Sequence, residues 1–319
     1  MNILYLLVQQ TLFFAIPLLI VALGGMFTER GGVTNIALDG TMIMGAFSGI
    51  MFINQMQDTM SGQGLLLLAC LVAIVVGAVF SLLLAFSAIN MKADQIIGGT
   101  ALNLIAPAFA IYAARSIQTN GVQQIMFNNT FRIQSVPVLG DIPVIGPMFF
   151  RNCYITTLIG IIILLVSIFV LYRTRFGLRL RACGEHPHAA DSVGINVYKM
   201  RYAGVAISGA LAGLGGVVFI IPTSTNFNAT VAGYGFLALA VMIFGQWKPI
   251  RIAFASLFFG FMKAIAAAYN VVPILADLPV TSEFYKMIPF IATLIVLAFS
   301  SKKSAAPAAV AIPYDKGSR

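Results

Sequence analysis

Thr28-Glu29-Arg30-Gly31-Gly32-Val33-Thr34-Asn35-Ile36-Ala37-Leu38-Asp39-Gly40, running on into Thr41-Met42-Ile43-Met44-Gly45-Ala46-Phe47, sets charges, paired glycines, an Asn and an Asp between two long apolar runs. Only 9% of the 319 residues are charged, against roughly a quarter in an ordinary soluble domain. An Asp so close to apolar sequence therefore needs a reason. Irregular backbone is tolerated at membrane depth only where it is buried in protein or lines a water-filled cavity. The stretch is read as a broken helix lining a solute pathway through a membrane.

The rest of the composition agrees. The chain is 60% hydrophobic, with a mean hydropathy of +0.95. Runs long enough to cross about 30 Å of hydrocarbon recur along it. They lie at 4–26, 35–54, 64–90, 95–114, 154–172, 202–222, 234–246, 252–269 and 285–300. The expected fold is all-α: a polytopic membrane protein of about nine transmembrane helices (eight to ten). The seventh run is short for a full crossing. Residues 1–303 form one integral domain, and 304–319 form a loosely ordered tail. The first run begins at Ile3 without a basic flank, so it is read as a span and not a cleaved signal.

Lysine and arginine gather in cytoplasmic loops. The loop 173–201 carries Arg173, Arg175, Arg179, Arg181, Lys199 and Arg201 and is set inside. Alternating the spans from there brings Arg30, Lys92, Lys248, Arg251 and the tail residues Lys302, Lys303, Lys316 and Arg319 inside as well. Only Arg115, Arg132 and Arg151 then fall outside. The expected orientation has the N-terminus outside and the C-terminus cytoplasmic. The net charge of +9 follows from this asymmetry, so it does not call for nucleic acid as a partner. Segment 116–152, rich in Asn, Gln, Pro and Gly, becomes an outer loop with a short irregular or re-entrant piece.

No enzyme signature is present: G-x-x-x-x-G-K-[ST], H-E-x-x-H and G-x-S-x-G are all absent. His186 and His188 have no Cys/His cluster to complete a metal site, and Cys70, Cys153 and Cys183 are read as ordinary thiols. Polar residues within or beside spans are Asn35, Asp39, Asp94, Gln95, Asn103, Lys263 and Glu283. Such groups tend to face cavities or partners. Asp39 and Asn103 are the leading candidates for a solute-facing lining. The alternative for Asn103 is an interhelical hydrogen bond. The alternative for Asp39 is capping of amides freed at Gly31-Gly32. Gly45-x-x-x-Gly49 and Gly209-x-x-x-Gly213 fit close helix packing.

Gly233-Tyr234-Gly235 precedes Phe236-Leu237-Ala238-Leu239-Ala240-Val241-Met242-Ile243-Phe244-Gly245, as Gly31-Gly32 precedes the run from Ile36 to Gly45. On this topology the two segments enter from opposite sides. That is the arrangement of an inverted repeat, with spans 1–4 related to spans 6–9. In the basic loop, Pro187 can open a short helix and Gly194 can close it. Such a helix could plug into a partner's cleft or lie on anionic lipid.

These stretches resemble the permease subunits of ABC importers, in the branched-chain amino acid/ribose-type family. Gly31-Gly32-Val33-Thr34-Asn35-Ile36 is similar to that family's Gly-Gly-x-x-(Asn/Asp)-(Ile/Leu) element. Gly184-Glu185-His186-Pro187-His188-Ala189-Ala190-Asp191-Ser192-Val193-Gly194-Ile195-Asn196-Val197 resembles its cytoplasmic coupling segment, and Gly233 to Ala240 a later element. Glu29 to Gly40 and Phe244-Gly245-Gln246-Trp247-Lys248-Pro249 look like the nucleoside-uptake branch, whose members usually carry Glu where Asp39 stands. The Leu-Ser-Val-Gly run of ribose-type members is absent.

The resemblance implies the ABC importer permease fold and a non-catalytic translocation subunit in a bacterial cytoplasmic membrane. It implies four kinds of partner: a second homologous permease, two copies of ATPase function, an extracytoplasmic substrate-binding protein and membrane lipid. No cofactor is expected in this chain, because ATP and Mg belong to the partner ATPase. Pathway or gate residues are expected at Gly31, Gly32, Asn35, Asp39, Asn103, Gly233 and Gly235. Coupling residues are expected at Gly184, Glu185, Pro187, Ala189, Ala190, Asp191 and Gly194. A simple sugar or a branched-chain amino acid is the alternative solute, and an ion-coupled secondary transporter the alternative class. With Arg30 at the cytoplasmic face, Asp39 is expected a helical turn or two into the membrane, at an inner mouth of the pathway.

Overall fold

Ile3–Arg30 (α1) is apolar on every side, and from Ala15 to Glu29 every residue is buried. A helix that is hydrophobic all round belongs at the centre of a bundle. Val197–Thr223 (α8), Pro249–Ala268 (α10), Tyr234–Phe244 (α9) and Ile155–Arg173 (α5) pack around it. Leu38–Met56 (α2) and Gln63–Ala85 (α3) close on α8, and Gln95–Ile117 (α4) lies against α2. The outer helices turn large apolar side chains outward, among them Leu104, Leu165 and Phe254, as a lipid-facing surface requires. The computed structural model describes residues 3–118, 121–128, 131–137, 139–143, 145–269 and 305–317, with 284, 287–289, 291, 292 and 294.

Among the described residues six helical stretches are long and apolar enough to cross a membrane: Ile3–Arg30, Gln63–Asn90, Gln95–Ile117, Ile155–Arg173, Val197–Thr223 and Pro249–Ala268. The second of these six extends α3 through a π-helical turn at Phe86–Asn90. Leu38–Met56 has 19 residues, but its Asp, Asn, Gln and glycines dilute its apolar content. Tyr234–Phe244 has only 11 residues, about 16 Å of helix and half a crossing. The ninth expected span, 285–300, lies largely outside the described residues, as do Glu283, Lys302, Lys303 and Arg319.

Glycine sets how closely α2, α3 and α8 approach. A Cβ on Gly45 would overlap the backbone of Gly213, and one on Gly213 would overlap the carbonyl of Ala73. Both expected small-residue motifs therefore lie on contact faces. Lipid tails are as apolar as Leu, so close backbone approach and dispersion hold such helices together.

Segment 116–152 is irregular, as expected, but it is also tied to the bundle. Ile125–Met126 (β1) pairs antiparallel with Asn226–Phe227 (β4), and Ile133–Ser135 (β2) with Arg151–Cys153 (β3). Among the described residues these two small sheets are the only strand pairings beside the helices. The all-α expectation missed them because each strand has only two or three residues. At the opposite end lie the Arg-rich helix Arg175–Glu185 (α6) and the short helix Pro187–Ser192 (α7). That end is called the basic end below. Residues 305–317 return to it.

Replacing Gly213 by Leu should force α2 and α3 away from α8. Overpacking of this kind costs about 1–3 kcal/mol or more. The thermal midpoint of the detergent-purified protein should fall by several degrees, or the protein should be lost from the membrane. Gly64→Ala, which meets nothing within 4 Å, should change neither.

Candidate functional site

The stretch 28–40 joins the basic end to the interior. Its turn at Gly31-Gly32 closes α1: the Gly31 N–H donates to the Phe27 and Thr28 carbonyls, the Gly32 N–H to Glu29 O, and the Val33 N–H to Thr28 O. Gly32 takes a φ of +89°, which a residue with a side chain rarely adopts. These bonds leave no free amide at the break for Asp39 to cap.

Beyond the turn the chain does not resume a helix until Leu38. Residues 33–37 climb between neighbours that hold them at several points. The Thr34 N–H donates to Gln95 Oε1 at 2.7 Å. Asn35, wholly buried, donates from Nδ2 to Ser208 Oγ of α8 at 2.9 Å. Asn103 of α4 donates from Nδ2 to Ile36 O at 2.9 Å and accepts the Gly40 N–H on Oδ1 at 2.7 Å. Asn103 thus makes the interhelical hydrogen bond that was one of the two readings weighed for it. Asp94 caps α4 by accepting from the N–H groups of Ile96 and Ile97.

Asp39, half-buried in the first turn of α2, accepts the Gly235 N–H of α9 on Oδ1 at 2.8 Å. Two helix N-termini thus meet at one carboxylate. Each carries unsatisfied N–H groups and a partial positive charge, so an anion between them is favoured. Gly235 is required here, since a Cβ would overlap the backbone of Asp39. Gly233 just before it is left-handed, at φ +71°. Tyr234 is buried against Phe219, with ring centroids 4.0 Å apart, and the Lys263 ammonium lies 5.5 Å from its ring.

Between Gly235 and the basic end lies the whole of α9, about 16 Å of helix.

At the basic end α9 runs into Trp247, whose indole N–H donates to Glu29 Oε2 at 2.6 Å. Arg30 Nη2 donates to Trp247 O at 3.1 Å, and Arg30 Nη1 lies 3.6 Å from Glu185 Oε1. Glu29 and Trp247 were legible only as members of two separate motifs. Trp247 is the sole Trp of the chain, and a carboxylate plus a lone indole in two motif stretches is the signal that could have paired them.

The seven residues expected to couple form one piece. Gly184 ends α6 so near the turn that a Cβ would overlap Arg30 O. Pro187 opens α7 at its first turn, and Gly194 closes it at φ +83°. Ala190 is buried among Cys183 and Val197, whereas Ala189 is exposed and Asp191 half-buried. Burial pushes the Cys183 thiol up from its ordinary value, against the pull of Arg201. At the far end, the outer ends of α2 and α8 and the β1–β4 pair enclose a cavity of about 360 Å³ lined by Asn54, Gln57, Asn128, Thr225 and Asn226.

Long apolar helices, helix ends that meet inside the bundle and an Arg-rich helical pair outside it define a multi-pass membrane protein built on interrupted helices. The chain belongs to the branched-chain amino acid transport system / permease component family, which matches residues 7–297. It is 41% identical over 323 residues to the guanosine ABC transporter permease protein NupQ of Bacillus subtilis, covering 100% of this chain and 99% of the relative. It is 41% identical over 316 residues to the nucleoside ABC transporter permease protein NupC of Lactococcus lactis, covering 99% and 98%. NupB, a nucleoside ABC transporter permease protein of the same species, is 27% identical over 262 residues, covering 77% and 68%. No solved structure matches the chain.

Asp39→Asn keeps an acceptor for Gly235 and should be tolerated better than Asp39→Leu. The latter leaves a buried amide unpaired at a cost of about 1–3 kcal/mol. Denaturation in detergent should rank the three proteins in that order; equal losses for both variants would mean that the hydrogen bond contributes nothing.

Proposed function

We propose that this chain is a membrane-spanning translocation subunit of an ATP-driven importer of nucleosides. One observation carries the mechanism: the end of α6, which leads straight into α7, is in direct contact with the Gly31-Gly32 turn, through Gly184 against Arg30 O and through Glu185 beside Arg30. A push on α7 from a partner ATPase thus reaches the segment that leads to Asp39. ATP and Mg are used by that partner. In such a cycle ATP binding favours one access state by making different contacts with the two states.

The names of NupQ and NupC support the solute, and the absence of the ribose-type glycine run argues against a simple sugar. Two homologous permeases in Lactococcus lactis support a second, different permease chain as partner. The basic end is cytoplasmic on this reading and so is the C-terminus; an extracytoplasmic binding protein delivers solute to the opposite face, where the amide-lined cavity opens. The meeting of the α2 and α9 N-termini supports an inverted repeat and about nine crossings, because half-helix ends that converge near the midplane are a feature of such repeats.

In cells that carry the complete transporter, Ala190→Arg should reduce uptake of labelled guanosine at least about ten-fold at an unchanged membrane level, a coupling loss of ordinary size. Normal uptake would sink the coupling assignment. Excess uridine or adenosine should compete for uptake, while glucose and leucine should not; competition by glucose would restore the sugar reading. Uptake abolished by a protonophore while cellular ATP holds steady would instead indicate an ion-coupled transporter.

A further inference from the structure

We infer that the C-terminal segment 305–317 is a strap that fastens α7 to the Gly31-Gly32 turn, and that Arg201 is the positioning residue that seats it. The inference rests on the assignment of α7 as the coupling helix. Its observations are independent of the sequence motifs, none of which includes the tail.

Tyr314 is buried, at 4% exposure, against Cys183, Ala190 and Val197. Its ring meets Tyr198 at 5.5 Å and His188 at 5.1 Å between centroids. One aromatic anchor of the strap therefore sits on α6, α7 and the first residues of α8 together. The strap backbone adds hydrogen bonds to the same elements: Ala309 N–H to Gly184 O at 2.8 Å, and Ala308 N–H to Glu185 Oε2 at 3.3 Å. Its last described residues make two ion pairs, Lys316 with Asp191 at 3.8 Å and Asp315 with Lys92 at 2.7 Å. Lys92 lies in the turn between α3 and α4.

Arg201 links these contacts to the gate turn. Its side chain is 1% exposed. Nη1 donates to Ile312 O at 3.0 Å, and the guanidinium lies 6.0 Å from the Tyr314 ring. Its other face meets Gly32: a Cβ there would stand 3.0 Å from Arg201 Nη2 and 3.4 Å from Ala309 O. A single buried cation is thus enclosed by the glycine turn on one side and by the strap on the other. Burying a guanidinium is expensive unless acceptors and aromatic faces receive it. The strap supplies one of each, the Ile312 carbonyl for Nη1 and the Tyr314 ring, and among the described residues Nε and Nη2 are buried without an acceptor, so the strap's seat on Arg201 rests on that one hydrogen bond and the ring. With the strap seated, α7, the end of α6 and the gate turn move as one body. Without it, Glu185–Arg30 and the Gly184 contact remain, and the first of these is a partly exposed pair of the weak kind.

The test uses the assembled transporter in membrane vesicles, with uptake and ATP hydrolysis measured on one preparation. Tyr314→Ala, and separately a chain that stops after residue 304, should lower the solute moved per ATP hydrolysed at least about five-fold. Both should also open Cys183 to a membrane-permeant maleimide, in a background where Cys70 and Cys153 are replaced by Ser. Tyr314→Phe should restore coupling and shielding. An unchanged transport ratio in Tyr314→Ala overturns the inference. A variant that needs no truncation guards against simple loss of the protein: Lys92→Cys with Asp315→Cys, joined by a short bis-methanethiosulfonate, each end of which forms a disulfide with one cysteine and releases methanesulfinate. Linked and unlinked forms of that variant should transport within about two-fold of each other, since a strap that stays seated loses nothing by being tied down. Uptake stopped by the link would mean that the segment must leave its seat, and the inference falls. Ala190→Arg separates the two readings. If it leaves uptake intact, the coupling assignment has failed; if it stops uptake while Tyr314→Ala does not, only the strap has.

Discussion

The hydrogen bond from the Gly235 N–H to Asp39 Oδ1 is the contact on which the interior arrangement depends. Neither helix that meets there has a side-chain cap of its own: Ala37 precedes α2 and Gly233 precedes α9. Away from water, unsatisfied N–H groups cost several kcal/mol each, and two uncapped N-termini facing one another would also repel. One carboxylate, placed in the first turn of α2 and aimed at the second N–H of α9, answers both problems. Gly235 is the complementary condition, since a side chain there would keep the two backbones apart. Charge and close approach are thus coupled: neither the Asp nor the glycine serves without the other.

The same stretch is pinned on its remaining sides. Asn35 reaches α8 through Ser208, Asn103 brings α4 to Ile36 and Gly40, and Gln95 receives Thr34. Each bond satisfies a backbone or amide group that the missing helical turn leaves open. An interruption in a membrane helix needs such neighbours, and here two separate helices, α4 and α8, supply them. The tight α2–α3–α8 packing through Gly45, Gly213 and Ala73 then fixes the distances over which these short side chains must reach.

Local features were legible in the sequence. The positions of the long apolar helices follow from run length alone, and α7 from Pro187 and Gly194, which act on their own backbone. Small-residue spacing identified the contact faces of α2 and α8. What escaped was set by partners distant in sequence. Asp39 was weighed as a cap for the nearby glycine break, yet its partner is 196 residues away. The glycine turn closes its own amides, which sequence alone does not reveal. The β1–β4 pair joins segments about a hundred residues apart through strands of two residues each, too short to leave a period.

The non-helical residues 33–37 bear on how a displacement would travel. A free, non-helical linker between Gly32 and Leu38 would absorb movement at its own soft dihedrals. This one is held at Thr34, Asn35 and Ile36 in succession, so it has little slack to give up. On the proposed coupling assignment, a shift at α7 enters through Gly184 and Arg30, and the pinned linker passes it to the start of α2. There it meets a bond that is directional and shared between two helices. A small displacement of Asp39 relative to Gly235 weakens capping of α9 and the match of charge to helix end at the same time. Packed, bistable contacts amplify sub-ångström shifts in this way, and the two helix ends therefore offer α7 a discrete change to bias where a smooth deformation would dissipate the push.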